Sequence, residues 1–275
     1  MIPFDVTTPR LVVFDLDGVL FRGDTVIEAA PRCIGWLRAN GIAVRFLTNN
    51  SSQARSVYVE KLTRMGMPCV VDDVVTSASA TAQFLSRRCN AAGRQVFAVG
   101  GPGIHVELGA VGIAVRSVRD PESVDPACDF VVAGLDRDFS YQTLLRAQQC
   151  ILRGARFIAT NRDTQYPTEH GVIPGGGSIV AAIAAAAETE PETIGKPEPL
   201  GMELLLESAG FTPDQALMVG DRPDTDILCA RRSGVPSVLV LTGVTTADEA
   251  GRVPDEQSPD HVLETLDALP SLFRG

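Results

Sequence analysis

Ten residues near the amino end, LVVFDLDGVL at positions 11–20, constrain this chain more than any other stretch. Positions 11–14 form an unbroken apolar run, the pattern of a strand buried on both faces. Asp15 and Asp17 follow. Residues i and i+2 of a strand point to the same side, so both carboxylates can face one pocket. Gly18 then permits a turn without a Cβ clash. Two carboxylates at the end of a buried strand concentrate negative charge, which is costly without a positive partner. An Asp-x-Asp-Gly also suits a solvated Asx-type turn. The remainder of the chain decides between the two.

That remainder alternates. Apolar runs at 42–47, 74–76, 95–99, 129–133, 156–160, 216–219 and 237–241 read as strands. Helical spacing at 28–40, 53–65, 79–88, 141–153 and 199–209 falls between them. Such alternation implies an α/β fold with a doubly wound, Rossmann-like parallel sheet, whose ligand lies beyond the carboxyl ends of the strands. Four strand ends carry polar groups: Asp15 and Asp17, Thr48 and Asn49, Lys196, and Asp221 with Asp226. The run Thr48-Asn49-Asn50-Ser51-Ser52 precedes a helix, where free N–H groups and the helix dipole favour an anion; the same serines suit simple N-capping. More than half of the chain separates Thr48 from Lys196. That is too long for one crossover, so part of it is expected to be a second domain. The expected division is a core of 1–79 and 190–275, with an inserted α/β domain at 80–189.

Composition excludes several classes. The net charge of -10 argues against non-specific binding to nucleic acid or to an anionic membrane surface. No secretory pattern opens the sequence and no apolar run is long enough to span a bilayer. The six cysteines are scattered without a C-x-x-C, which suits free thiols in a reducing, cytoplasmic setting. The three histidines are isolated, so a zinc site or a Ser/His triad has little to build from. Gly100-Gly101-Pro102-Gly103 resembles half of a dinucleotide fingerprint, but Val106 stands where the third glycine belongs.

Three acidic positions and one lysine, with a hydroxyl and an amide, make an oxygen-only donor set that favours Mg²⁺ over zinc or copper. A carboxylate beside such an ion can act as a nucleophile, and its neighbour two residues on can serve as acid and then base. A lysine and N–H donors would neutralise the oxygens of a transferring phosphoryl group.

Asp15-Leu16-Asp17-Gly18, Thr48-Asn49-Asn50, Gly195-Lys196-Pro197 and Gly220-Asp221 with Thr225-Asp226 resemble the four motifs of the haloacid dehalogenase superfamily. Their order and spacing are similar to its subfamily IIA, which inserts a large α/β cap between the second and third motifs. That branch includes phosphoglycolate, pyridoxal, glycerol-phosphate and 4-nitrophenyl phosphate phosphatases. The similarity extends to Ala159-Thr160-Asn161-Arg162-Asp163 and Pro174-Gly175-Gly176-Gly177-Ser178 in the insert. The resemblance implies a Mg²⁺-dependent phosphatase of small phosphorylated metabolites, working through an aspartyl-phosphate. It implies that Asp15 attacks phosphorus and binds the metal, and that Asp17 is the general acid/base and a metal ligand through its carbonyl. It implies that Thr48 and the Asn49 backbone hold phosphate, and that Lys196 offsets charge on Asp15 and on the phosphoryl group. Asp221 is an expected metal ligand, with Asp226 behind it. Asp224 reads as a solvated turn residue. Tyr166, within the turn-rich stretch 161–177, falls where the branch presents a specificity side chain, and pyridoxal-type members resemble one another in a histidine there. Caps of this branch often form dimers, so a homodimer through the cap is an expectation. A phosphotransferase or phosphomutase would share the aspartyl-phosphate chemistry, and a regulatory binding protein would need a broken site.

Overall fold

The computed structural model describes residues 9–120, 127–168 and 171–273. Its strands, in chain order, are β1 (Leu11–Phe14), β2 (Phe21–Arg22), β3 (Thr25–Val26), β4 (Ala43–Thr48), β5 (Val74–Thr76), β6 (Gln95–Val99), β7 (Ala114–Arg116) and β8 (Phe130–Ala133). They continue with β9 (Arg156–Ala159), β10 (Gln165–Thr168), β11 (Gly171–Pro174), β12 (Glu192–Thr193), β13 (Ala216–Gly220), β14 (Ser237–Val240) and β15 (His261–Leu263).

The chain forms two compact units. The first comprises Met1–Thr48, Val59–Val75 and Lys196–Gly275. Its six-stranded sheet has the order β15-β14-β13-β1-β4-β5. β1 pairs in parallel with β13 on one side and β4 on the other. All four β1 side chains are buried, which is why its sequence is apolar without alternation. Leu11 and Val13 pack with Leu47, Met202, Leu205 and Met218. The chain builds outward from β1 in one direction, then returns to build in the other. β1 is therefore the point where strand order reverses, where such sheets open a crevice for ligands.

The second unit comprises Asn49–Tyr58 and Thr76–Gly195. It has its own five-stranded parallel sheet, β12-β9-β8-β6-β7. Phe97, Val131 and Phe157 pack there against Val180 and Ile183 of the helix Gly176–Ala187. The sequence places the insert at 80–189; the compact unit also takes in 49–58. A buried carboxylate explains that excursion. Glu107 accepts from the Arg55 backbone N–H and from its Nε, both at 2.9 Å, and so caps the start of the helix Arg55–Arg64.

Two stretches are not what composition alone suggests. The segment 161–177, expected to be irregular, contains the antiparallel hairpin β10–β11, with Tyr166 opposite Ile173; positions 169 and 170 lie outside the described residues. Residues after β13, which begin as the polar run 221–226, do not enter an ordinary helix directly. They first make a π-helical turn, Pro223–Ile227, before the helix Leu228–Arg232. Among the described residues no helix is long and apolar enough to cross a membrane.

Candidate active site

In the first unit, four charged side chains meet at the carboxyl ends of the central strands. Asp15 follows β1 directly, and its backbone N–H donates to Val219 of β13 at 2.9 Å. Lys196 is buried, and its ammonium donates to Asp15 Oδ1 at 2.5 Å, Asp226 Oδ1 at 2.6 Å and the Leu47 carbonyl at 3.0 Å. An ammonium only donates, and these acceptors hold the lysine in direction. Asp15, Asp221 and Asp226 each offer a carboxylate oxygen, all within 4.8 Å of one another. Asp17 adds no carboxylate oxygen to that group, and its side chain is half-buried. Thr48 ends β4, on the strand beside β1, and is buried.

The π-helical turn places Asp226. Its extra residue per turn brings the side chain back beneath the end of β13, where Oδ2 accepts from the backbone N–H groups of Asp221 and Arg222 at 3.2 and 3.1 Å. With Oδ1 on Lys196, Asp226 is committed to protein partners at both oxygens. Asp221 is aimed by Val244, whose N–H donates to Oδ2 at 2.9 Å. Gly18 has a φ of 83°, and a Cβ there would collide with the Asp221 carboxylate. Only glycine fits that turn on both counts. Asp224 lies in the open, bonded to Arg222.

Burial pushes the Asp15 carboxyl well above the usual carboxylate range; Lys196 opposes this, while Asp226 and Asp221 add to it. Burial, then Asp226, pushes Asp221 up to about 7. Asp17 is pushed up to about 6 by desolvation, against the pull of Lys61 and Lys196. Burial disfavours the Lys196 ammonium, but Asp15 and Asp226 outweigh it, so its pKa is raised. Three buried carboxylates thus share one lysine. Oxygen-only donors with surplus negative charge fit a hard divalent cation.

Asn49, Asn50 and Tyr166 belong to the second unit. Asn49 is buried; its Nδ2 donates to Asp163 Oδ2 at 3.1 Å and its carbonyl accepts from Asn161 and Ser77. Asn50 Nδ2 donates to Tyr166 Oη at 3.1 Å. Thr160 Oγ1 donates to Ser51 Oγ at 3.0 Å. The glycines of the half fingerprint are used here for close backbone approach. A Cβ at Gly101 or Gly103 would strike the backbone of 51–53, and the Gly103 N–H donates to the Ser52 carbonyl at 3.1 Å. The amino end of the helix Pro102–Ala110 therefore receives the chain's own carbonyl.

Sequence reasoning passed over two groups. The loop 242–245 orients the site: Thr245 Oγ1 donates to the Asp221 carbonyl at 2.6 Å and Thr242 Oγ1 to the Gly18 carbonyl at 2.8 Å. Its signal was a polar, glycine-containing turn at the end of the apolar run 237–241. Lys61 lies 3.9 Å above the Phe21 ring and donates to the Gly23 carbonyl at 2.7 Å, which pins the β2–β3 turn next to Asp17. Nothing local distinguishes it from a surface lysine.

A family model described as haloacid dehalogenase-like hydrolase matches residues 12–114, and one described as HAD-hydrolase-like matches residues 193–269. An acid sugar phosphatase of Staphylococcus aureus (strain USA300) is 35% identical over 240 residues, 87% of this chain and 89% of that protein. The 4-nitrophenylphosphatase of Thermotoga maritima superposes with a TM-score of 0.89 at 32% identity, covering 98% of this chain and 99% of its own. A glycerol phosphate phosphatase of Mycobacterium tuberculosis, solved in complex with calcium, gives 0.86 at 34% identity over 96% of this chain and 76% of its own. The same protein is also known in complex with magnesium.

Proposed function

The chain belongs to the haloacid dehalogenase-like hydrolases and is a phosphatase of small phosphomonoesters, and from that premise we propose that Asp15 carries the phosphoryl group in turnover. The observation that carries this reading is Lys196, buried and bonded to both Asp15 and Asp226 at the strand where sheet order reverses. Lys196 holds the Asp15 carboxylate in one orientation. The other oxygen of Asp15 attacks phosphorus, and a P–O bond forms as the bond to the leaving oxygen breaks. Asp17 gives its proton to that leaving oxygen. As a carboxylate it then takes a proton from water, whose oxygen displaces Asp15 and releases inorganic phosphate. Thr48 and the Asn49 backbone hold the phosphoryl oxygens. Asp15, Asp221 and the Asp17 carbonyl would hold Mg²⁺, which supplies positive charge against the phosphoryl oxygens when bound. Asp226 keeps Lys196 and the turn after β13 in place.

The inserted unit, with Tyr166, selects the leaving group. Tyr166 offers a ring to pack on and a hydroxyl to hydrogen-bond, suited to a small polyol, sugar or hydroxy-acid phosphate such as glycerol phosphate or phosphoglycolate. A tyrosine at that position weighs against pyridoxal phosphate. The same reading gives a cytoplasmic enzyme that forms a homodimer through the inserted unit, which light scattering on the purified protein checks. Phosphate release from a panel of phosphorylated metabolites, ranked by kcat/KM, tests the substrate class. Quenching wild-type turnover in acid and finding the phosphoryl label on Asp15 tests the chemistry; a label on any other residue overturns it.

A further inference from the structure

Within the first unit, the loop 242–245 is tied both to the turn after β1 and to the end of β13. Thr242 Oγ1 donates to the Gly18 carbonyl at 2.8 Å, and Arg22 Nε donates to the Thr242 carbonyl at 2.9 Å. Thr245 Oγ1 donates to the Asp221 carbonyl at 2.6 Å. Between these ties the two oxygens of the Asp221 carboxylate are treated unequally. Oδ2 accepts from the Val244 N–H at 2.9 Å. It is also enclosed, since a Cβ at Gly243 or at Gly18 would collide with it. Oδ1 has no hydrogen-bond partner among the described residues.

A carboxylate binds a metal through one oxygen or through both. Binding through both would require Oδ2 to leave Val244 and turn out from between the two glycines. Mg²⁺ takes about six oxygens at about 2.0–2.1 Å in near-ideal octahedral geometry, whereas Ca²⁺ takes about six to eight at about 2.3–2.6 Å, often both oxygens of one carboxylate.

We infer that the loop 242–245 confines Asp221 to a single metal bond, through Oδ1, and so selects a compact six-coordinate ion against a larger one. The Val244 N–H and the Thr245 hydroxyl are positioning groups: one holds the carboxylate, the other its main chain. Mg²⁺ needs one aimed oxygen from Asp221 and loses nothing by the restraint. Ca²⁺ is denied the second oxygen. The inference rests on the reading that Asp221 is a metal ligand, and it adds what limits the ion. It also gives Gly243 a role, because a side chain there would displace the carboxylate that the loop holds.

A crystal structure with Ca²⁺ gives the direct test. Asp221 is expected to ligate the ion through Oδ1 alone, with Oδ2 still on the Val244 N–H. Titration calorimetry of metal-free protein with Mg²⁺ and with Ca²⁺ gives the second. Val244→Pro removes the N–H at a position whose side chain is exposed. The ratio of the Ca²⁺ to the Mg²⁺ dissociation constant should then fall about tenfold, because Mg²⁺ loses an aimed ligand while Ca²⁺ gains an oxygen. Val244→Ala keeps the N–H and should keep the wild-type ratio, which separates the backbone donor from the side chain. If Val244→Pro does not fold, judged by thermal unfolding in EDTA, Thr245→Val takes its place. It frees the main chain of Asp221 and should lower the ratio at least about threefold, with Thr245→Ser restoring it. Ca²⁺ held by both oxygens of Asp221 in wild type, or a ratio unchanged in the variant that lacks the donor, overturns the inference and leaves Asp221 as a ligand. Ca²⁺ absent from Asp221 overturns the metal reading and the inference with it.

Discussion

The two sheets share a plan and differ in what fills it. Each begins with a strand that ends up inside the sheet, β1 in one and β6 in the other, with strand order reversing there. In the first unit the crevice at that reversal holds Asp15, Lys196, Asp221 and Asp226. In the second it is lined by glycine, and the chain's own segment 51–53 occupies it. A Cβ at Gly134 would strike Ser51 Oγ and Thr160 Oγ1, as one at Gly101 would strike Ser52. The strand ends of the second sheet carry neutral groups, Thr160 and Asn161, satisfied by hydroxyl and backbone partners. An α/β sheet offers a ligand crevice at the reversal point; what lines it decides whether a ligand or the protein itself takes it. Charge in the first and neutral polarity in the second suit chemistry in one and positioning in the other.

The strongest way to break that division is Asp15→Asn. An amide is a poor nucleophile, so kcat should fall by about three orders of magnitude or more on every substrate, with the fold unchanged. Activity within about tenfold of wild type, measured by phosphate release, would move the chemistry out of the first sheet. Stripping divalent ions with EDTA comes next: turnover should drop to background and return on adding Mg²⁺. Full turnover in metal-free protein would mean that the surplus carboxylate charge is handled by protons alone. Lys196→Met should lower unfolding free energy by about 3–5 kcal/mol in urea melts, because it leaves Asp15 and Asp226 buried without their shared cation. A change under about 1 kcal/mol would show that these acids are not held by the lysine.

Tyr166→Ala sharpens the other half of the comparison. It should cost about 1–3 kcal/mol in kcat/KM on the preferred substrate and less on 4-nitrophenyl phosphate, whose leaving group is activated. An equal loss on all substrates would make Tyr166 a packing residue. The smallest effect concerns pH. Asp17, raised to about 6 by desolvation, must be protonated to act as the acid, so kcat/KM should fall as pH rises through that value. Lys61 favours the carboxylate of Asp17. Lys61→Met should therefore move the fall toward alkaline pH, and a shift toward acid would contradict the assignment.

Much of this was visible in one dimension, because much of it is local. The strand at 11–14, buried on both faces, announced itself by four apolar residues in a row, and β1 spans those positions. Strand ends that carry Asp15 and Asp221 were readable because each carboxylate follows its strand directly, whereas Lys196, expected at a strand end, lies three residues beyond Thr193, the last residue of β12, a strand of the other sheet. Other elements left no such trace. β2, β3 and β12 are two residues long, too short for any period to register. The β10–β11 hairpin contains Pro167, Gly171 and Pro174, which read as turn residues although the backbone pairs across them. The π-helical turn at Pro223–Ile227 has the composition of an ordinary helix start, and its register follows from the bonds Asp226 makes to Asp221 and Arg222.

The sequence by itself determined the fold class, the family and the strand ends at Asp15, Thr48 and Asp221, since apolar runs and the polar groups next to them are properties of neighbouring residues. Only the tertiary structure decided how those groups combine. It gave Lys196 its acceptors on Asp15, Asp226 and Leu47, turned the carboxylate of Asp226 onto the lysine and the turn after β13, and brought Lys61 to the turn beside Asp17. It also spent the glycines at 101 and 103 on the chain's own backbone rather than on a dinucleotide. The physical reason is that hydrogen-bond direction and charge pairing depend on distances between residues far apart in the chain, and no pattern of neighbours encodes them.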